Sequence, residues 1–186
     1  LVDVRLGCLL PPVEAATRPR YELLRLVVQE RLNDALRVAR GEGYGVATDF
    51  DWLRGGTSYL QIASSVDPDE LEDALSVIHE AWARWSREGF EPGEVNVARW
   101  RYAGALSLQA SVHAVAFHLF NDWRANLLAA GPATFDVALP SLDAESVAPL
   151  FATCKANAVL GLTGDEATLR RALARSWPDV EGLPAP

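Results

Sequence analysis

Apolar residues alternate in part from Val2 to Leu10 and then meet Pro11-Pro12, which predicts a first strand. From Arg20 to Arg40 the spacing changes. Leu23, Leu24, Val27, Val28, Leu32, Ala35 and Leu36 recur at helical intervals, with charged residues on the opposite face. Gly41 and Gly43 end this helix. Tyr44 to Trp52 reads as a second strand, Arg54-Gly55-Gly56 as a turn, and Thr57 to Val66 as a third strand. In that third strand Leu60, Ile62 and Val66 share one face, and Tyr59, Gln61 and Ser65 the other. Alternation on both sides of a glycine turn predicts a hairpin.

Asp67-Pro68-Asp69-Glu70 opens a helix: Asp67 is placed to cap, Pro68 suits the first position and Glu70 closes a capping box. Its apolar stripe is Leu71, Leu75, Ile78, Trp82 and Trp85, and Gly89 stops it. Glu91-Pro92-Gly93-Glu94 starts another helix that runs to about Leu108. A further helix is expected from Ser111 through Phe117, Phe120 and Leu127, stopped by Gly131-Pro132. Asp143 to Thr153 reads as helix, Asn157 to Thr163 as a last strand, and Asp165 to Trp177 as a last helix. The order has a βαββαβ core, so the expected fold is α+β: a ferredoxin-like antiparallel sheet with extra helices inserted after the third strand. Helices should cover one sheet face, leaving the other solvated or docked on something.

The length of 186 residues fits one domain spanning 1–186, with 179–186 a frayed tail or linker ending in Pro184-Ala185-Pro186. Hydrophobic residues make up 49% of the chain and charged residues 23%, which suits a globular core rather than disorder. The net charge of −8 repels phosphate backbones and argues against a general nucleic-acid binder. No apolar run approaches the roughly 18 residues of a membrane span. Asp3 and Arg5 inside the first apolar stretch do not suit a signal peptide. The chain holds no Met, even at position 1, which reads as a piece of a longer chain or a processed product.

Candidate chemistry is sparse. The three histidines are His79, His113 and His118. His113 and His118 are five apart, which turns them to different helix faces, and Ala83 stands where HExxH needs its second His. The inverted HxxEH arrangement is absent, so no metal site is expected in this chain. No GxSxG elbow is present, and no catalytic residue is assigned. Gly41-Glu42-Gly43-Tyr44-Gly45 follows a helix and opens a strand, the wrong polarity for a phosphate loop; it reads as a helix C-cap. Cys8 and Cys154 form no CxxC pattern and are expected to be two small buried hydrophobes; the spacing leaves a disulfide, and so the compartment, open. Most of the six tryptophans fall on apolar stripes and are expected in the core.

Leu36-Arg37-Val38-Ala39-Arg40-Gly41-Glu42-Gly43-Tyr44-Gly45-Val46 resembles the LRExxGLxYxV segment of the pitrilysin, insulinase and mitochondrial-processing-peptidase family, the M16 metallopeptidases. The spacing of seven from Arg37 to Tyr44 fits. Upstream lies a long helix like the family's LxxxLxxRLxxxLR. Downstream, Val66-Asp67-Pro68-Asp69-Glu70 with Ala74-Leu75 and Ile78 resembles VxPExxxxALxxI. Arg87-Glu88-Gly89 with Glu94 resembles EEGxTxxEL, and Val159 to Leu173 the closing strand and helix. The departures are Val38 for the usual acid and Glu42-Gly43 for the usual Leu-Ala.

The resemblance implies an M16 peptidase-like domain in an enzyme of two halves that close like a clamshell. Since HxxEH is missing, the chain is similar to the zinc-free C-terminal half or domain. The implied zinc belongs to a partner half, on the same polypeptide or a separate subunit, and the implied substrate is a peptide. The implied substrate-binding residues are Arg37 and Tyr44. Arg suits a peptide carbonyl or carboxylate, and a Tyr hydroxyl suits a developing oxyanion beside a metal. The alternative is a non-peptidase scaffold subunit, in which Arg37 is a solvated helix-end cation and Tyr44 packs on its strand.

Overall fold

A computed structural model describes residues 1–14, 17–40, 45–52, 58–108, 116, 120, 123 and 142–177. The expected cap at Gly41–Tyr44, the turn at Arg54–Gly56, the stop at Gly131-Pro132 and the tail at 179–186 lie outside these residues. So do His113, His118 and most of the helix expected from Ser111 to Leu127; within it, Ala116, Phe120 and Trp123 are helical.

β1 (Val2–Leu10) alternates between buried and exposed residues along its length, because it is the second of four strands from one edge of the sheet and only one face is covered. The sheet order is β2-β3-β1-β4, with β2 at Ala47–Trp52, β3 at Ser58–Val66 and β4 at Val159–Thr163. All three pairings are antiparallel, running from Val2↔Val66 to Leu10↔Ser58, from Asp3↔Thr163 to Gly7↔Val159, and from Ala47↔Ala63 to Trp52↔Ser58. The connections from β1 to β2 and from β3 to β4 each skip one strand. That is the ferredoxin-like order the sequence predicts.

α1 (Arg18–Arg40) carries Leu23, Leu24, Val27, Val28, Leu32 and Leu36 at 0–1% exposure, so the apolar stripe legible in the sequence is the core stripe. Tyr21 joins it. Burial, with Glu14 nearby, raises its phenol pKa, and the hydroxyl donates to the Pro11 carbonyl at 3.1 Å. α2 (Leu71–Glu88) buries Leu71, Ala74, Leu75, Ile78, Ala81, Trp82 and Trp85. Trp82 and Trp85 meet Phe90 and Phe151 in tilted and edge-on pairs with centroids 5.0–6.0 Å apart. Such pairs are favoured by the ring quadrupoles. Gly89 ends α2 at φ 75°, where a side chain would be strained, and its N–H donates to the Trp85 carbonyl at 3.0 Å.

α3 (Pro92–Leu108) differs from expectation. Among its described side chains the buried ones are Val95, Ala98 and Tyr102, whereas Val97 and Trp100 lie on the other side, Trp100 at 75% exposure. Trp123 is also exposed, at 59%. The assignment of most tryptophans to the core therefore holds for Trp82 and Trp85 and fails for these two. On α3 the buried stripe passes through 95, 98 and 102, and position 100 falls on the opposite side of the helix.

Two further corrections concern a helix start and the cysteines. Before α2 the chain forms a single 3-10 turn at Pro68–Glu70, and the expected box between Asp67 and Glu70 does not form: Asp67 makes no side-chain cap, and the Glu70 N–H donates to the Asp67 carbonyl at 3.0 Å. A box forms instead at α4 (Ala144–Ala156), where Asp143 accepts from the Ser146 N–H at 2.9 Å and the Ser146 hydroxyl accepts from the Asp143 N–H at 3.1 Å. α5 (Glu166–Ser176) is capped by Asp165 on the Thr168 N–H at 2.9 Å, which lowers the Asp165 carboxyl pKa. Cys8 and Cys154 are buried, but as a disulfide with Cα atoms 5.0 Å apart rather than as free thiols. Spacing could not reveal this, because the two meet only when α4 packs under β1.

Beside the disulfide, the Asn157 carboxamide accepts from the Leu9 N–H at 2.6 Å and donates to the Leu9 carbonyl at 3.0 Å. The β1–β4 ladder stops at Gly7↔Val159, so this side chain satisfies the next pair of backbone groups on β1. The last strand accordingly begins at Val159 rather than at Asn157.

Glu94 ties three helices together. It accepts from Arg84 of α2, lies 3.3 Å from the Arg31 guanidinium of α1, and accepts the Glu91 N–H at 2.9 Å at the start of α3. Its side chain is 13% exposed and that of Arg84 18%, so both charges are largely removed from water. Glu94→Ala leaves Arg84 with the exposed Glu91 as its one carboxylate partner among the described residues and removes the acceptor of the Glu91 N–H at the start of α3. We expect a loss of about 1–3 kcal/mol, read as a lower urea midpoint at unchanged m. An unaltered midpoint would show that Glu94 is dispensable.

Candidate functional site

One polar row on α1 organises the region around the first helix connection. Arg25, Gln29, Asn33 and Arg37 follow one another at intervals of four, so they line one side of the helix. The first three members bond to β2 or its approach. Arg25 Nη1 donates to the Thr48 carbonyl at 3.3 Å, and the Thr48 hydroxyl donates to Gln29 Oε1 at 2.7 Å. Asn33 Oδ1 accepts from the Val46 N–H at 2.7 Å. As the row climbs the helix, its partners step backwards from Thr48 to Val46.

The approach to β2 is held from a second side. The Ser64 hydroxyl of β3 donates to the Gly45 carbonyl at 3.0 Å. A Cβ built on Gly45 would meet Asn33 Oδ1 at 3.0 Å, closer than side chains ordinarily approach. Glycine at this position lets the backbone reach Asn33. Residues 45 and 46 are thus fixed between α1 and β3.

Arg37 is exposed and is the next member of the row beyond Asn33. It lies one helical turn beyond Asn33. Tyr44 lies outside the described residues, so the structure places one member of the expected pair. Asn33, Gly45 and Ser64 were not singled out from the sequence. The signal that could have found Asn33 is the row itself, four polar residues at a spacing of four beside the apolar stripe of α1.

The uncovered sheet face carries Asp3, Arg5 and Leu9 from β1, Tyr59, Gln61 and Ser65 from β3, Asp49 from β2, and Val159 and Thr163 from β4. Ser65 donates to Asp3 at 2.8 Å. Arg5 stands opposite Ala63 on one side and Gly161 on the other. Neither neighbour crowds its guanidinium, whose donors suit carbonyl or carboxylate oxygens.

Among the described residues no group of three His, Cys, Asp or Glu is placed to hold a metal ion. No helix among them is long and apolar enough to cross a membrane.

Residues 19–102 match the family model described as the Peptidase M16 inactive domain. Over those residues the chain is similar to M16 inactive domains. The first half of the periplasmic protease PqqL from Escherichia coli superposes with a TM-score of 0.75 at 14% identity, over 99% of this chain and 45% of that one. An insulinase-family protease from Yersinia pestis gives 0.73 at 11% identity, over 94% of this chain and 43% of that one. The inactive peptidase domain of a candidate zinc protease from Bordetella parapertussis gives 0.65 at 14% identity, over 87% of this chain and 90% of that one. The chain spans 19% of the whole PqqL protease and less than half of the PqqL first half and the Yersinia protein, but nearly all of the Bordetella domain. No curated protein matches the sequence. The α+β architecture with its antiparallel four-stranded sheet is that of M16 peptidase-like domains.

Proposed function

We propose that this domain is the zinc-free, substrate-binding part of an M16-type metalloendopeptidase, closing over a zinc-bearing half that carries HxxEH. The observation that carries the reading is the exposed Arg37 at the end of a row whose other three members are bonded to β2 and its approach. A guanidinium one turn beyond that bonded row offers planar donors suited to a peptide carbonyl or carboxylate. Tyr44 directly precedes Gly45 in the chain. In this reading its hydroxyl donates to the oxyanion that forms on the scissile carbonyl. The open sheet face would line the chamber that closure creates, with Arg5 as a second cation toward the peptide.

Zinc, held by the partner half, would supply the activated water. This chain's own work is to bind the extended peptide, orient its carbonyl and exclude water when the halves meet. The partner half sits on the same polypeptide or on a second subunit.

Peptide hydrolysis by the zinc-bearing half, measured with and without this domain, tests the proposal. We expect cleavage to require both. Equal turnover by the zinc half alone would make this chain a scaffold rather than part of the site.

A further inference from the structure

We infer that the protein acquires the Cys8–Cys154 bond from a thiol–disulfide oxidase while it folds, and that it works in an oxidising compartment outside the reducing cytosol. The inference does not depend on the substrate-binding role. The chain has two cysteines, and both are used in this one bond, so no thiol is left over for metal binding or for a link to another chain. Residues separated by 146 positions meet here, so the bond can close only once α4 has packed under β1. Cys154 is 0% exposed and Cys8 6%. A pair this deep is out of reach of soluble thiols in the native state, which sets it apart from exposed, switching disulfides.

The Asn157 clasp on Leu9 lies directly beside the bond and holds the same two elements together. The bond therefore locks an alignment that the backbone hydrogen bonds already select. In its formation the two thiols lose two protons and two electrons. The electrons pass to the oxidase's own disulfide, which becomes a dithiol, through a mixed disulfide that the second thiolate resolves. Cytosolic thiols are kept reduced, whereas exported proteins retain such bonds.

The test uses the full-length protein in its own cells. Cells are quenched in acid, free thiols are alkylated, and the digest is read by mass spectrometry. We expect the peptides that hold Cys8 and Cys154 to be recovered joined, taking up the reagent only after reduction. Recovery of both as alkylated, separate peptides without reduction would overturn the inference. In a second arm the same chain is made in a reducing cytosol. There we expect both cysteines alkylated and the protein more readily digested by trypsin. A bond formed equally well in that cytosol would remove the argument for compartment.

Discussion

Replacing both Cys8 and Cys154 by alanine is expected to lower the stability of the domain by about 2–5 kcal/mol. The bond joins residues 146 positions apart, so the unfolded chain is divided by a cross-link across most of its length. Chain-entropy arguments put the upper end of the effect at about 5 kcal/mol for a loop of this size. Alanine keeps both positions apolar, so the core around Cys154 loses sulfur contacts without gaining an unsatisfied group. For a domain of this length the melting temperature should fall by about 5–20 °C. Two details separate the cross-link from simple loss of packing. The m-value should rise in the variant, because the uncrosslinked unfolded state exposes more surface. The parent should weaken on adding reductant while the double variant does not respond. A parent whose urea midpoint ignores reductant, under conditions shown to cleave the bond, would leave the disulfide with no role in stability.

That bond also marks where the sequence stopped being informative. The elements were legible because each is written locally. The stripe from Leu23 to Leu36, the alternation of Leu60, Ile62 and Val66, and the stop at Gly89 all rest on residues within a turn or two of one another. The strand order followed from the order of elements, since few topologies accommodate a βαββαβ chain. Tertiary facts were not local. Nothing near Cys8 encodes the approach of α4, and nothing near Asn157 encodes its clasp on Leu9. Trp100 was misplaced for a related reason. α3 is apolar on more than one side, so its composition does not tell which side faces the core; packing against α1 decides it. The helix start at Asp67 failed on geometry. Its residues suit a capping box, yet the chain turns through a 3-10 segment there, and a box appears at Asp143 instead. For the candidate site, the likeness to M16 peptidases pointed to Arg37 and Tyr44, whereas the bonds of Asn33 to Val46 and of Ser64 to Gly45 emerged only with the three-dimensional arrangement.

In the complete, zinc-bearing assembly, Arg37→Ala and Tyr44→Phe are each expected to lower kcat/KM by roughly ten- to a thousand-fold, on the order of 1.4–4 kcal/mol of transition-state stabilisation. The two should differ in how the loss divides. A guanidinium that anchors the peptide acts in the ground state and the transition state alike, so Arg37→Ala should raise KM more than it lowers kcat. A hydroxyl that meets charge only as it develops should act on kcat, so Tyr44→Phe should leave KM nearly unchanged. Neither variant should change the zinc content of the assembly, because the metal is held elsewhere. Arg37 is exposed, so its loss should not disturb the core, and Tyr44→Phe removes one hydroxyl while keeping the ring. Arg37→Lys provides a further check. It keeps the charge but not the planar pair of donors, and recovery to the parental rate would mean that charge alone is used. If both Arg37→Ala and Tyr44→Phe cleave peptide at the parental rate in a correctly metallated assembly, neither residue contacts the substrate, and the scaffold role becomes the better account of this domain.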